Sequence, residues 1–227
     1  MVRDRNQQSE TGAVAKWLGR CFAVTTIVAC CPASVRADGV AMAETVEPGE
    51  HFSIEKAAEL AKGDAEDAYH RLLDLMTRAY VASAEPSARR YLGWARSNDA
   101  PYRSATHGNR YVNNYANPAA AAAGYGTAGR LMPPGAVIAK DSFTATPKGR
   151  LHPGALFLME KLPAEANPAT ADWRYVMIMP DGSTFGDSRA TPARMAFCHA
   201  CHAARADDDY LFLVPPESAA RPATARP

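Results

Sequence analysis

The sequence has no surplus of either charge. Its 25 Lys and Arg stand against 24 Asp and Glu, a formal net charge of +1. A nucleic-acid surface, which shows a strong basic excess, is therefore not indicated. There is no internal repeat, and no apolar run reaches the about 20 residues needed to span a bilayer. Cysteine is scarce and unevenly placed: Cys21, Cys30 and Cys31 lie near the start, and Cys198 and Cys201 near the end.

The early cysteines fall in a segment with the three parts of a secretory signal. Basic residues (Arg3, Arg5, Lys16, Arg20) precede an apolar stretch from Cys21 to Ala33. Val35 and Ala37 then offer a small-residue cleavage site before Asp38. A buried helix or membrane anchor is the plainer alternative. A lipoprotein is another, since Ile27-Val28-Ala29-Cys30 resembles a lipobox in which Cys30 is lipidated. The expectation is an exported, periplasmic protein with residues 1–37 as signal peptide. Loss of that segment removes five basic and two acidic residues and takes the net charge to −2. Only Cys198 and Cys201 then remain, which excludes a structural disulfide framework.

In the remaining chain, helical patterns come first and strand patterns later, an α+β order. Ala65, Ala68, Tyr69, Leu72, Leu75, Met76, Ala79 and Tyr80 recur at helical spacing, predicting a helix over 64–84. A shorter helix is expected around 54–60 and another from Pro86-Ser87, giving a helical N-terminal region over 38–100. Strands are expected over 110–115, 136–143, 155–159, 173–179, 183–185 and 210–214. Asn117-Pro118 is a helix start of N-cap and following proline, and Thr191-Pro192 opens a helix running into Cys198. The Pro/Ala-rich segment 217–227 reads as a disordered tail.

The chemistry lies in Cys198-His199-Ala200-Cys201-His202. Two thiols three residues apart, with a histidine directly after the second, suit attachment of a c-type haem. One turn of backbone sets both sulfurs under the vinyl groups and the next residue presents an imidazole to the iron. A thioredoxin-type dithiol does not require His202. A zinc site needs a second ligand pair, and His51, His70, His107 and His152 form none. The expected cofactor is one covalent haem c, held by Cys198, Cys201 and His202, with His202 as iron ligand. Only 25 residues follow His202, without Met, His or Cys, so a second axial ligand has to come from upstream. His107 and His152 sit beside Gly108 and Pro153 in loops. Met177 and Met179 alternate with Arg174 and face away if the arginine faces the haem. A five-coordinate iron is the expectation.

The ordered segments RYVNNYANP, PPGAVIAKDSF, PGALFLMEK, DWRYVMIMPDG and FCHACH together resemble the cytochrome P-460 family over roughly Tyr102 to Val214, a haem domain of 101–216. The resemblance implies a curved antiparallel β-sheet with flanking helices, a periplasmic location and often a homodimer. It implies oxidation of hydroxylamine with electrons passing to a soluble c-type cytochrome. The related cytochromes c′-beta, which bind nitric oxide or carry electrons without that chemistry, are the alternative. Lys140 matches the lysine that such enzymes link covalently to the haem edge. On residue type alone it is a strand-end lysine reaching solvent. The resemblance places the Arg174 strand on the distal side, where a guanidinium could bond an iron ligand or a propionate; an exposed edge arginine is the simpler reading. Glu160 and Asp141 are candidate proton acceptors, and Tyr111, Tyr115, Phe143 and Tyr175 are core or pocket residues.

Overall fold

A computed structural model describes residues 57–220. Helix α1 (Lys62–Val81) is followed by short 3₁₀ turns at Pro86–Arg89 and Tyr91–Gly93, then β1 (Ala95–Arg96), β2 (Tyr102–Ser104) and β3 (Arg110–Ala116). Next come α2 (Pro118–Ala122), β4 (Val137–Ala145), β5 (Leu151–Pro153), β6 (Leu156–Lys161), β7 (Trp173–Ile178), β8 (Thr184–Asp187) and α3 (Pro192–His202). The eight strands form one antiparallel sheet in the order β1-β3-β4-β6-β7-β8, with β2 also on β3 and β5 also on β4. The chain is thus an α+β protein with an open antiparallel sheet and few helices.

Both faces of the sheet are covered, so successive residues of a strand enter different cores. Every residue of β4 is buried. On one face Ala139, Phe143, Leu156, Leu158, Val176 and Ile178 pack with Tyr69, Leu72, Met76 and Tyr80 of α1. The helix forms because its apolar residues recur every three or four positions and no proline interrupts them. On the other face Ile138, Met159, Trp173, Tyr175 and Met177 pack with Met195 of α3 and Leu211. The β7–β8 turn lies hard against the end of α1. Gly182 has φ +84°, and a Cβ there would sit 2.3 Å from the Ala79 carbonyl oxygen, so only glycine fits.

The α1 face holds a buried polar network. The Tyr69 hydroxyl donates to Asp141 Oδ2 at 2.7 Å, and the Tyr91 hydroxyl to the same oxygen at 3.1 Å. Asn113 Nδ2 donates to Asp141 Oδ1 at 3.0 Å. Burial raises the Asp141 carboxyl to about 6, although these donors pull it the other way. Arg96 forks onto both oxygens of Glu66 at 2.8 and 2.7 Å and reaches Asn113 Oδ1, which ties α1 to β1 and β3.

Several expected elements differ. Residues 57–61 are not helical, and Ala58 N–H instead donates to the carbonyl of Ala145, the last residue of β4; the rest of the expected 54–60 helix lies outside the described residues. The segment from Pro86 makes two 3₁₀ turns rather than a helix, with the Glu85 side chain accepting from Ser87 N–H. Residues 210–214 form no strand. Residues 217–220 are held in place: Asp99 N–H donates to the Ser218 carbonyl and Ala220 N–H to that of Ser97. The signal-like segment 1–37 and residues 221–227 lie outside the described residues. No helix among the described residues is long and apolar enough to cross a membrane.

Candidate haem site

Cys198, Cys201 and His202 occupy the last turn of α3. Proline at the start of the helix fits a position with no intrahelical donor role. The Thr191 hydroxyl accepts from Asp187 N–H at 3.1 Å, fastening the helix start to the end of β8. Beyond the helix, a 3₁₀ turn leads to Asp209 and Tyr210, both with positive φ, at 52° and 63°. Asp209 fixes this strained corner: its carboxylate accepts from Lys161 Nζ at 2.7 Å and from Met132 N–H at 2.8 Å. The corner aims the Tyr210 carbonyl at His202 Nδ1, 2.6 Å away. A carbonyl only accepts, so Nδ1 carries the proton and Nε2 keeps its lone pair, the arrangement usual for a metal-binding histidine. Burial pushes this imidazole down to about 4, so it stays neutral.

The thiols do not resemble a redox dithiol. They lie at the C-terminal end of a helix, where the dipole disfavours an anion. Burial and the neighbouring Cys201 push the Cys198 thiol up to about 12, away from the depressed range of attacking cysteines. Among the described residues no three His, Cys, Asp or Glu converge on a metal position, so the zinc alternative has no ligand set there.

Beside this turn lies a cavity of about 260 Å³. The sheet contributes Ile138, Lys140, Phe157, Met159 and Tyr175 to its lining; Leu211 and Phe212 close it from the segment after α3. Lys140 is 7 % exposed. Its amine makes no hydrogen bond or ion pair among the described residues, and burial lowers it to about 8. The sequence's strand-end lysine reaching solvent is therefore replaced by an enclosed, unpartnered amine on the cavity side of β4. The Tyr175 hydroxyl and His199 Nδ1 are buried without a partner. The Tyr175 ring lies 5.5 Å from the His202 ring and 6.1 Å from that of His199.

Arg174 is not at the cavity. Strand alternation sends Tyr175 to the cavity and Arg174 to the opposite face, where it forms a four-member ionic cluster. Its guanidinium donates to Glu160 Oε2, Glu85 Oε2 and Asp187 Oδ2, each at 2.8 Å, and to Asp187 Oδ1 at 3.1 Å. Glu160 is thereby committed to an ion pair, and Asp141 to the tyrosine network; neither lines the cavity. Tyr111, Tyr115 and Phe143 belong to the core under α1. Met177 is on the α3 side, against the earlier expectation, but is packed in the core with Met195 and does not line the cavity.

Among the cavity residues with no role assigned from the sequence are His107, Tyr125, Phe157 and Phe212. The apolar run 210–214 held the signal for Phe212. His107 follows β2 in a single 3₁₀ turn, Ala105–His107, which has no periodicity to reveal its direction. The turn brings its ring to 4.9 Å from Phe157 and 6.4 Å from His202.

These residues suit a porphyrin. A histidine has its second nitrogen already committed, two thiols share its helical turn, and the adjoining cavity is largely aromatic and aliphatic. Tyr175, whose buried hydroxyl has no partner, lines it, as expected where a bound group completes the pairing. The site is that of a c-type haem protein. A family model for cytochrome P460 matches residues 88–213, more than half of the 227 residues, and the chain belongs to that family. No curated protein matches the sequence.

Proposed function

We propose that the chain is an exported cytochrome carrying one covalent haem c on Cys198, Cys201 and His202, and that it oxidises a small nitrogen compound, hydroxylamine foremost. The observation that carries this reading is the buried, unpartnered Lys140 amine in the cavity beside His202. A haem held there would supply an iron able to bind the nitrogen and to accept its electrons for a soluble c-type cytochrome. His202, oriented by the Tyr210 carbonyl, is the residue that would hold the iron. The aromatic lining keeps bulk water from the reacting face. With its proton affinity lowered by burial, Lys140 has a neutral amine fraction near neutral pH. That amine is the group that would link to the porphyrin edge, replacing a hydrogen there in a step that releases two protons and passes two electrons to an external oxidant such as a peroxide, and the link would alter the electronics of the macrocycle. Export is supported by the signal-like segment and by the periplasmic habit of the family; anchoring through Cys30 and a homodimer are part of the same proposal.

One observation favours a second reading, a non-catalytic haem protein that binds nitric oxide or transfers electrons: no Asp or Glu lines the cavity among the described residues. Holo-protein decides between them. Haem is expected to remain on the polypeptide in denaturing electrophoresis, and a proteolytic digest is expected to yield one haem peptide joining the Lys140 and Cys198–His202 segments. Hydroxylamine turnover is expected to be lost in Lys140→Ala. An ordinary c-type reduced spectrum with no turnover would select the binding protein.

A further inference from the structure

His107 and His202 are held in matching ways. His202 Nδ1 is committed to the Tyr210 carbonyl. His107 Nδ1 lies 3.0 Å from Ser104 Oγ and 3.2 Å from Thr106 Oγ1, within hydrogen-bond reach of both hydroxyls. On each ring Nε2 has no hydrogen-bond partner among the described residues, and both rings line the same cavity. The turn that carries His107 is closed by Asn109 N–H donating to the Ser104 carbonyl at 3.0 Å, through Gly108 at φ +71°. Phe157 packs on the ring. His107 is therefore a fixed feature of the cavity wall.

The separation of the two rings decides what that feature can do. Their centroids are 6.4 Å apart with planes at 71°. Two imidazoles bound to one metal, each at about 2 Å, hold their ring centres roughly 6 Å apart. A distal histidine that only hydrogen-bonds a ligand already on the iron needs roughly 2 Å more, because the ligand and the hydrogen bond lie between. The observed spacing matches the first case.

We propose that His107 is a displaceable second axial ligand, bound to the resting haem iron opposite His202 and released when a small nitrogen ligand enters. The proposal rests on the haem reading of Cys198, Cys201 and His202, and is independent of whether hydroxylamine is oxidised. It replaces the five-coordinate expectation, which had set His107 aside as a loop residue. It also gives the site a threshold. If His107 is on the iron in about 99 of 100 molecules, the apparent affinity for an incoming ligand falls about 100-fold.

The test is the spin state of ferric holo-protein by low-temperature electron paramagnetic resonance. The wild type is expected to show a low-spin signal of two imidazoles. His107→Ala is expected to become high-spin, to bind nitric oxide more tightly in the ferrous form, and to return to low-spin when free imidazole is added. Should His107→Ala fail to fold, His107→Met is expected to give a His/Met charge-transfer band in the near infrared. High-spin iron in a wild type that retains its haem overturns the proposal alone, as does an unchanged low-spin signal in His107→Ala. Absence of covalent haem overturns the haem reading as well.

Discussion

Replacing Arg174 with alanine tests the reassignment of that residue from haem cavity to opposite face. The guanidinium makes four charge-assisted hydrogen bonds to three carboxylates. The three acceptors differ in what they can do once it is gone. The side chains of Glu160 and Asp187 are 33 % and 22 % exposed and can recover water, whereas Glu85 is 7 % exposed and cannot. Breaking a buried pair from one side costs about 3–5 kcal/mol, mostly through the charge left behind. With two of the three acceptors able to rehydrate, the lower end applies, about 3 kcal/mol. For a chain of this size that corresponds to a loss of roughly 6–12 °C in Tm. Chemical denaturation of holo Arg174→Ala against wild type measures it, and adding Glu85→Gln is expected to restore part of the loss. The haem spectrum and ligand binding are expected not to change. A stability loss below about 1 kcal/mol, or a shifted haem spectrum with unchanged stability, would refute the placement and return Arg174 to the haem.

Two further perturbations probe the sheet. In protein whose Lys140 amine is free, the folded-state value of about 8 lies below the unfolded one, so the unfolded chain binds more protons between them. Stability is then expected to rise as pH increases from about 8 towards the unfolded value, by at most roughly 3 kcal/mol, and Lys140→Met is expected to flatten that rise in pH-dependent denaturation. At Gly154 an added Cβ would lie 2.1 Å from Ser142 Oγ and 2.8 Å from the Ser142 carbonyl oxygen. Gly154→Ala is expected to destabilise by about 1–3 kcal/mol, whereas Gly93→Ala, which meets nothing within 4 Å, stays within about 0.5 kcal/mol; equal effects would show that the close approach is not real.

The candidate haem turn, Cys198 to His202, was legible as a motif because the chemistry proposed for it depends on residues adjacent in sequence, and spacing is what a sequence displays. Helix α1 and strands β3, β4, β6 and β7 were legible from their apolar patterns. The facing of those strands was not. Alternation identifies the inward side only when the other side is wet, and here both sides are buried: one under α1, the other against α3 and the cavity. Arg174 and Tyr175 were therefore indistinguishable by pattern, and the choice of the arginine for the cavity was off by one residue. His107 was missed for a different reason. A three-residue turn has no period, and its direction is set by Gly108 and by bonds to Ser104 and Thr106 that appear only in three dimensions. The segment 210–214 read as a strand because apolar runs of strand length look alike whether they pair with a sheet or, as with Leu211 and Phe212, close a cavity.

Lys140 and Asp141 are neighbours in the chain, yet they serve opposite sides of one wall. The lysine stands in the cavity across from Asn114 and Phe157; the aspartate is locked among Tyr69, Tyr91 and Asn113. A slip of one residue along β4 would exchange them. It would put a carboxylate in the cavity and force an amine among hydroxyls that now donate to Asp141. The tyrosine network under α1 therefore acts as a key that admits β4 in one alignment only. The reactivity of the haem face is in this sense proofread from behind, by residues that never touch it.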